Sequence, residues 1–368
     1  MKGLYLHIPF CKSKCPYCDF NSYAGKEELM QEYVSAMMMH IRQSKEHIPD
    51  KFDTIFIGGG TPTALSDSLL CELLKNLREM FPNAVSEFTV EANPKTLTKE
   101  KLKVMKEYGV NRISLGLQAW QDSLLQRIGR SHSRTDFLDS LELIYSSDIS
   151  NINADVMYGL PEQTFEDWSE TLEGLTALNL PHISCYSLTV AEGTPFAKIP
   201  SASFPSEDEE RRMNHLSKTL LSQKGIFRYE ISNYAKPNFE CLHNLIYWTA
   251  NEYAAFGAGA SGYLNGIRYT WEENPETYIR QIQEKSIQPE ASECVTDFIG
   301  EALILRLRLT KGVIYKEMEQ QFGSNWIIPY ESVIKKHTEN GLLQKNKQGF
   351  ALTDYGFDLA NYVMADFL

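Results

Sequence analysis

No stretch of the 368 residues reaches the roughly 18 consecutive apolar residues of a membrane-spanning helix. No transmembrane segment is therefore expected, while peripheral membrane association stays open. The start, MKGLYLHIPF, has too short an apolar stretch and no small-residue cleavage site for a secretory signal. Positive charge is also scarce. The 36 Lys and Arg face 48 Asp and Glu, and the net charge of −12 opposes the broad phosphate neutralisation behind non-specific nucleic-acid binding. Low-complexity segments and internal repeats are absent apart from an alternation described below. Cysteines number seven, an odd count that suits a reducing cytoplasm better than a disulfide framework.

Three of those cysteines stand together. Cys11, Cys15 and Cys18 lie in YLHIPFCKSKCPYCDF, separated by three and two residues just past the expected first strand. Three thiols do not complete a tetrahedral zinc site, but they can hold three irons of a 4Fe–4S cluster and leave the fourth open to another ligand. A zinc alternative needs a fourth ligand from His7 or Asp19, within or against the motif. The remaining Cys71, Cys185, Cys241 and Cys294 are scattered singly and read as small buried hydrophobes.

With 43% hydrophobic and 23% charged residues, the chain can bury a large core and divide into more than one domain. From Lys2 to about Thr189, the β-rich runs GLYLHI, DTIFIG, EFTVEA, NRISLG, NINADVMYG and HISCYSLT alternate with helical stretches. The helices are expected over Glu27 to Glu46, Ser66 to Met80, Lys99 to Tyr108, Thr135 to Ser146 and Phe165 to Leu178. Such alternation predicts an α/β fold with a parallel sheet. Six strands are too few for a closed eight-stranded barrel, so a partial (β/α)6 barrel is expected, with functional residues at the strand C-terminal ends.

Residues 1–200 are assigned to that barrel, 201–291 to a connecting α+β region and 292–368 to a C-terminal unit. The boundary lies in SASFPSEDEE, whose acidic residues suit the first turn of a helix running to about Lys224. Amphipathic helices over Glu293 to Leu309, Val313 to Phe322 and Pro329 to Asn340 precede two short strands in GLLQKNKQGFALTDYG, a winged-helix-like order. Glu317, Glu319, Glu331 and Glu339 beside Lys316, Lys335 and Lys336 make a poor phosphate-facing surface. Packing against the barrel or docking a protein partner fits better. The run AAFGAGASGYLNGIRYTW suits either a ligand-facing loop or tight turns between short strands.

Polar residues gather at the strand ends. The second strand enters Gly58-Gly59-Gly60-Thr61-Pro62-Thr63, where missing side chains let a ligand approach the backbone. No Lys follows the glycines, so this is not a Walker loop. Glu91 in VEANP, Gln118 in SLGLQ and Asp155 in NADVMYGLP follow at successive strands, with Arg130 in the next segment after Gln118. Singly each suits a solvated loop; together they form an acid, amide and guanidinium set beside the cysteines.

The motifs YLHIPFCKSKCPYC, GGGTPT, EANP, SLGLQ and DVMYGLP, in order over about the first half, resemble radical S-adenosylmethionine (SAM) proteins of the coproporphyrinogen III oxidase-like group. The resemblance implies that Cys11, Cys15 and Cys18 bind the cluster, whose open iron is chelated by the amino and carboxylate groups of SAM. It places Tyr5, Gly59, Gly60, Thr61, Glu91 and Arg130 against the methionine part. Gln118 and Asp155 would meet the ribose, and Tyr17 the adenine. These roles suit the residue types, since carboxylates accept from ammonium or hydroxyl groups and Arg pairs with carboxylate. Reductive cleavage of SAM to a 5′-deoxyadenosyl radical, fed by an electron donor, is the family's chemistry.

Within that group, the oxygen-independent coproporphyrinogen oxidases carry a further cysteine two residues after the third, where this chain has Phe20. Their longer N-terminal extension is also missing, so oxidase activity is not expected. HNLIYW, from His243 to Trp248, instead resembles the HNxxYW pattern of HemW-type haem chaperones. His243 would ligate haem iron while Tyr247 and Trp248 present aromatic faces; Asn244 would orient His243. A histidine satisfied by hydrogen bonding beside two packed aromatics is the alternative. The expectation is a cytoplasmic haem chaperone holding a 4Fe–4S cluster and SAM and delivering haem to acceptor proteins. The other reading is a radical SAM oxidoreductase acting on a porphyrin such as coproporphyrinogen III.

Overall fold

The computed structural model describes residues 1–83 and 85–368. Six strands, β1 (Gly3–Ile8), β2 (Thr54–Gly59), β3 (Glu87–Ala92), β4 (Arg112–Gln118), β5 (Asn151–Tyr158) and β6 (His182–Ser187), pair in parallel in chain order. Between them run α1 (Met30–Gln43), α2 (Asp67–Met80), α3 (Lys99–Glu107), α4 (Asp122–Arg127), α5 (Arg134–Tyr145) and α6 (Phe165–Ala177). The expected partial barrel is present. Helix starts follow the cap residues: Ser66 accepts from the Leu69 N–H, and Ser133 and Thr164 form capping boxes with Asp136 and Asp167.

Strand alternation explains why this sheet encloses a polar chamber. One face carries Leu4, Leu6, Ile8, Ile55, Ile57, Phe88, Val90, Ile113, Leu115, Ile152 and Ile183, all buried in the main apolar core with residues of the surrounding helices. The side chains between them alternate to the other face. They include Tyr5, Phe56, Glu91, Arg112, Ser114, Asn153, Asp155, His182 and Tyr186. Hydrogen bonds join several of these across strands, including Ser114 to Asp155 at 2.9 Å and His182 to Asn153 at 2.6 Å. An apolar outer face seats the helices, and a polar inner face is left for ligands.

The connecting region extends this sheet at both edges. After α7 (Glu207–Gln223), β7 (Phe227–Arg228) and β8 (Asn233–Ala235) join beyond β6. After α8 (Leu242–Trp248), β9 (Tyr253–Phe256) pairs in parallel with β1, making a seventh parallel strand beyond the six expected. Strands β10 (Ser261–Leu264), β11 (Ile267–Thr270) and, after α9 (Pro275–Gln283), β12 (Ala291–Cys294) continue it in antiparallel. The glycine-rich run is therefore short strands and turns.

At the C-terminus, α10 (Phe298–Leu307) begins later than Glu293, because the Asp297 side chain caps the Gly300 N–H at 2.8 Å. Next come β13 (Val313–Ile314), α11 (Tyr315–Phe322), α12 (Glu331–Glu339), β14 (Leu343–Lys345), β15 (Gly349–Leu352), α13 (Asp354–Asp358) and α14 (Ala360–Ala365). The three strands order as β13, β15, β14 over a second core containing Leu303, Trp326, Phe350 and Phe367. This is the winged-helix-like arrangement. Among the described residues, no helix is long and apolar enough to cross a membrane.

Candidate functional site

The cysteine loop leaves the C-terminal end of β1 and is tied back to the barrel. Cys11 N–H donates to the Tyr23 carbonyl at 2.9 Å, and Cys18 N–H to that of Cys15 at 3.1 Å. Burial pushes the Cys11 and Cys18 thiols up, and neighbouring cysteine charge adds to the effect in both. Cationic iron would offset that penalty for the thiolates. His7 does not supply a fourth zinc ligand here: both ring nitrogens are engaged, Nε2 with the Asn21 carbonyl at 2.7 Å and Nδ1 with the Tyr5 hydroxyl at 2.9 Å. Among the described residues, no three Cys, His, Asp or Glu side chains form a group able to hold a metal ion.

Beside this loop, the strand ends form a cradle. Gly60 and Thr61 N–H groups donate to the Ile8 and Phe10 carbonyls, each at 2.8 Å, carrying the β2 backbone along the base of the cysteine loop. Gly59 has φ +109°, and a Cβ there would lie 2.5 Å from the His7 ring, so only glycine fits. Its N–H donates to the Glu91 carboxyl at 3.0 Å. Burial and then the Asp155 charge push Glu91 up to about 8, against the pull of that N–H. A bound ammonium would draw the proton off and pair with the carboxylate.

Thr61, Asn93 and Arg130 form a chain. Asn93 donates to Thr61 Oγ1 at 2.7 Å and accepts from Arg130 Nη1 at 3.1 Å, while Thr61 Oγ1 lies 3.5 Å from Cys11 Sγ. Among the described residues, Arg130 Nε is buried without a partner. A cavity of about 160 Å³ opens here, bordered by Cys15, Thr61, Asn93 and Arg130. Gln118 follows a register irregularity in β4, with φ +76°; a Cβ on Gly116 would lie 3.0 Å from both its amide and the Arg130 guanidinium. Asp155 accepts from Ser114 and Asn153 at 2.9 and 2.8 Å. Tyr17 packs beside Phe196, 6.0 Å between ring centroids.

Asn93, Ser114 and Asn153 were not among the residues picked out by motif. Asn93 had the clearest signal, two positions after Glu91 inside EANP. Ser114 and Asn153 were marked only by polar spacing along strands otherwise rich in Ile and Leu.

His243 lies elsewhere. It is fully buried beside Phe56 and the start of β1, where a Cβ on Gly3 would lie 3.1 Å from its ring. Nδ1 meets Thr54 Oγ1 and Nε2 meets the Tyr247 hydroxyl, both at 2.7 Å. Burial, then the Arg112 charge, lowers its pKa to about 3. The ring packs on Phe56, 5.1 Å between ring centroids, and a Cβ on Gly58 would meet both Phe56 and the Glu91 carboxyl, so Phe56 separates His243 from the base of the cradle. Asn244 was expected to orient the ring, but Thr54 and Tyr247 do so. As it stands, His243 has no free nitrogen for iron.

The helix carrying it is anchored from across the barrel. Glu87, at the start of β3, accepts from the Leu242 and His243 N–H groups at 2.9 and 3.0 Å and from Cys241 Sγ at 3.4 Å. One inward carboxylate thus caps the N-terminus of α8.

Residues 5–175 match the family model for the radical SAM superfamily, and residues 295–359 that for the HemN C-terminal domain. Heme chaperone HemW of Bacillus subtilis is 39% identical, with 100% of this chain and 99% of the relative covered. Heme chaperone HemW of Lactococcus lactis is 37% identical, covering 99% and 96%, and that of Haemophilus influenzae 33%, covering 100% and 97%. Among solved structures, the coproporphyrinogen III oxidase HemN of Escherichia coli, a radical SAM enzyme, aligns with a TM-score of 0.88 at 22% identity. That alignment covers 100% of this chain and 89% of the other, and shows a shared fold.

Proposed function

The chain belongs to the HemW family of haem chaperones, on the radical SAM scaffold, and from that membership we propose that it binds haem and passes it to acceptor proteins while holding a 4Fe–4S cluster and SAM. The observation that carries this reading is the end-to-end correspondence with the HemW relatives, which covers at least 96% of each chain. Residues 1–200 hold the SAM and cluster sites, 201–291 contribute the haem motif, and 292–368 form the C-terminal domain.

Cys11, Cys15 and Cys18 provide three thiolates. When bound, the cluster and SAM supply reductive cleavage to methionine and a 5′-deoxyadenosyl radical, with an electron donor. Glu91 accepts the ammonium of SAM, and Arg130 pairs with its carboxylate. Tyr5, Gly59, Gly60 and Thr61 line the methionine end, Asp155 and Gln118 take the ribose hydroxyls, and Tyr17 borders the adenine. Asn93 holds Thr61 and Arg130 in register.

His243 is the haem-ligand candidate, provided that its ring leaves Tyr247 or Thr54. Phe20 is 64% exposed at the position of the oxidase cysteine, so a fourth thiol is missing where the other branch has one. Anaerobic reconstitution with iron and sulfide counted, followed by haem titration, tests the proposal. Saturable binding of one haem by the cluster-loaded chain is expected; no saturation would overturn it. Accumulation of 5′-deoxyadenosine with a modified porphyrin would favour the oxidoreductase reading.

A further inference from the structure

Arg308 follows α10, where the C-terminal unit meets the connecting region. Leu309 bridges Glu230, and the Thr310 N–H donates to the Tyr229 carbonyl at 3.0 Å, fixing the backbone on both sides of the contact. The guanidinium lies over Trp248 of α8, with Cζ 4.2 Å from the ring centroid. Among the described residues, this guanidinium makes no hydrogen bond. Its ion-pair contact is Glu230 Oε2 at 3.9 Å, beyond hydrogen-bond length. Glu230 accepts from the Ser232 N–H and the Asn233 amide through Oε1, while among the described residues its Oε2, facing Arg308, is buried with no hydrogen-bond partner.

The surroundings point to a missing partner. Among the described residues, Arg308 Nε and Trp248 Nε1 are both buried and unsatisfied, a state that is costly away from water. Yet 28% of the Arg308 side chain stays exposed, leaving part of it reachable. Tyr186, on the polar face of β6, is 38% exposed despite its place in the barrel. Its hydroxyl feels Asp155, Glu230 and Glu91, and Arg308 in turn feels Tyr186. Arg308 therefore stands beside Trp248 of the HNLIYW helix, with Glu230 as its charged neighbour.

We propose that Arg308, stacked on Trp248, is a carboxylate-binding site that receives a propionate of a dicarboxylic tetrapyrrole. A carboxylate matches the guanidinium fork, and a flat macrocycle suits the adjoining aromatic surfaces. The proposal rests on the haem reading and adds a contact from the C-terminal unit. It does not require His243 to be the iron ligand.

The test titrates the full-length, cluster-loaded protein with haemin and with haemin dimethyl ester, whose propionates cannot ionise. The ester should bind at least about tenfold more weakly, as loss of a charged hydrogen-bond pair implies. Arg308→Gln should weaken haemin binding by a similar factor and leave ester binding unchanged; Arg308→Lys should fall between. Equal wild-type affinity for acid and ester overturns the proposal. So does an Arg308→Gln variant that loses both ligands equally, the signature of a residue that only joins two parts of the chain. Should the variant fail to fold, the wild-type acid and ester comparison decides. If the wild type binds neither compound, the haem reading itself fails and takes this site with it.

Discussion

Replacing Tyr247 with Phe should tighten haem binding if His243 is the iron ligand. In the resting structure, the ring gives one nitrogen to Tyr247 and the other to Thr54, each at 2.7 Å. Ligation must break one of these bonds, so measured affinity includes that cost. A buried neutral hydrogen bond contributes about 1 kcal/mol net, and its removal raises the fraction of ligand-competent rings about fivefold. The apparent Kd should fall by the same factor, since Phe keeps the aromatic surface. Folding stability should drop by about 1 kcal/mol in the same variant. Soret titration of wild type, Tyr247→Phe, His243→Ala and the double variant reads the effect. The gain should vanish when His243 is also removed. A Tyr247→Phe variant no tighter than wild type, together with an unchanged Soret band in His243→Ala, would falsify ligation and leave the histidine as a packing element.

Three further outcomes are expected. Asn93→Ala removes the link between Thr61 and Arg130, so SAM affinity should fall about tenfold by calorimetry while iron content stays constant; unchanged affinity would show that Arg130 is positioned without it. Gly59→Ala forces a side chain into φ +109° and within 2.5 Å of His7, so urea unfolding should show a loss of at least about 2 kcal/mol. Stability should also fall on acidification. His40 and His243 are held at about 3 and His132 at about 4, chiefly by burial, so below pH 6.5 the unfolded chain takes up protons that the folded chain refuses. Each costs up to about 1.4 kcal/mol per pH unit. Glu91, raised to about 8, acts oppositely, with stabilisation present below about pH 4.5 and lost as pH rises through 8. His7 and His182, also lowered by burial, act with these imidazoles, and Glu230, also raised, acts with Glu91. The imidazoles outweigh the carboxyls, leaving a net loss of about 2 kcal/mol from pH 7 to 5.5; a flat or rising urea midpoint would contradict this.

Much of the barrel was legible because parallel strands and their helices announce themselves locally. Runs such as GLYLHI and EFTVEA alternate, and Ser66, Ser133 and Thr164 mark helix starts. Strand β9 was not, since YAAF has small residues and pairs with β1 some 250 positions earlier. The strand-end set was visible as motifs, whereas its internal wiring was not: nothing local says that Asn93 bridges Thr61 and Arg130. His243 shows the same limit more sharply. HNLIYW displays a histidine beside aromatics, but the residue occupying its other nitrogen, Thr54, is 189 positions away. Polarity and spacing expose which residues are chemically capable, while accessibility depends on partners brought together by the fold.

The cap on α8 carries a consequence for how the protein is made. A helix of seven residues is too short to persist alone, and its backbone donors are met by Glu87, 155 positions earlier for Leu242. The HNLIYW segment therefore acquires its shape only after β3 has docked in the sheet. During synthesis the N-terminal strands emerge first, so the nascent chain meets a template already in place. A barrel damaged at β3 would release a full-length product in which this segment is unstructured, and the shape of the HNLIYW helix would serve as a readout of whether the first half had folded.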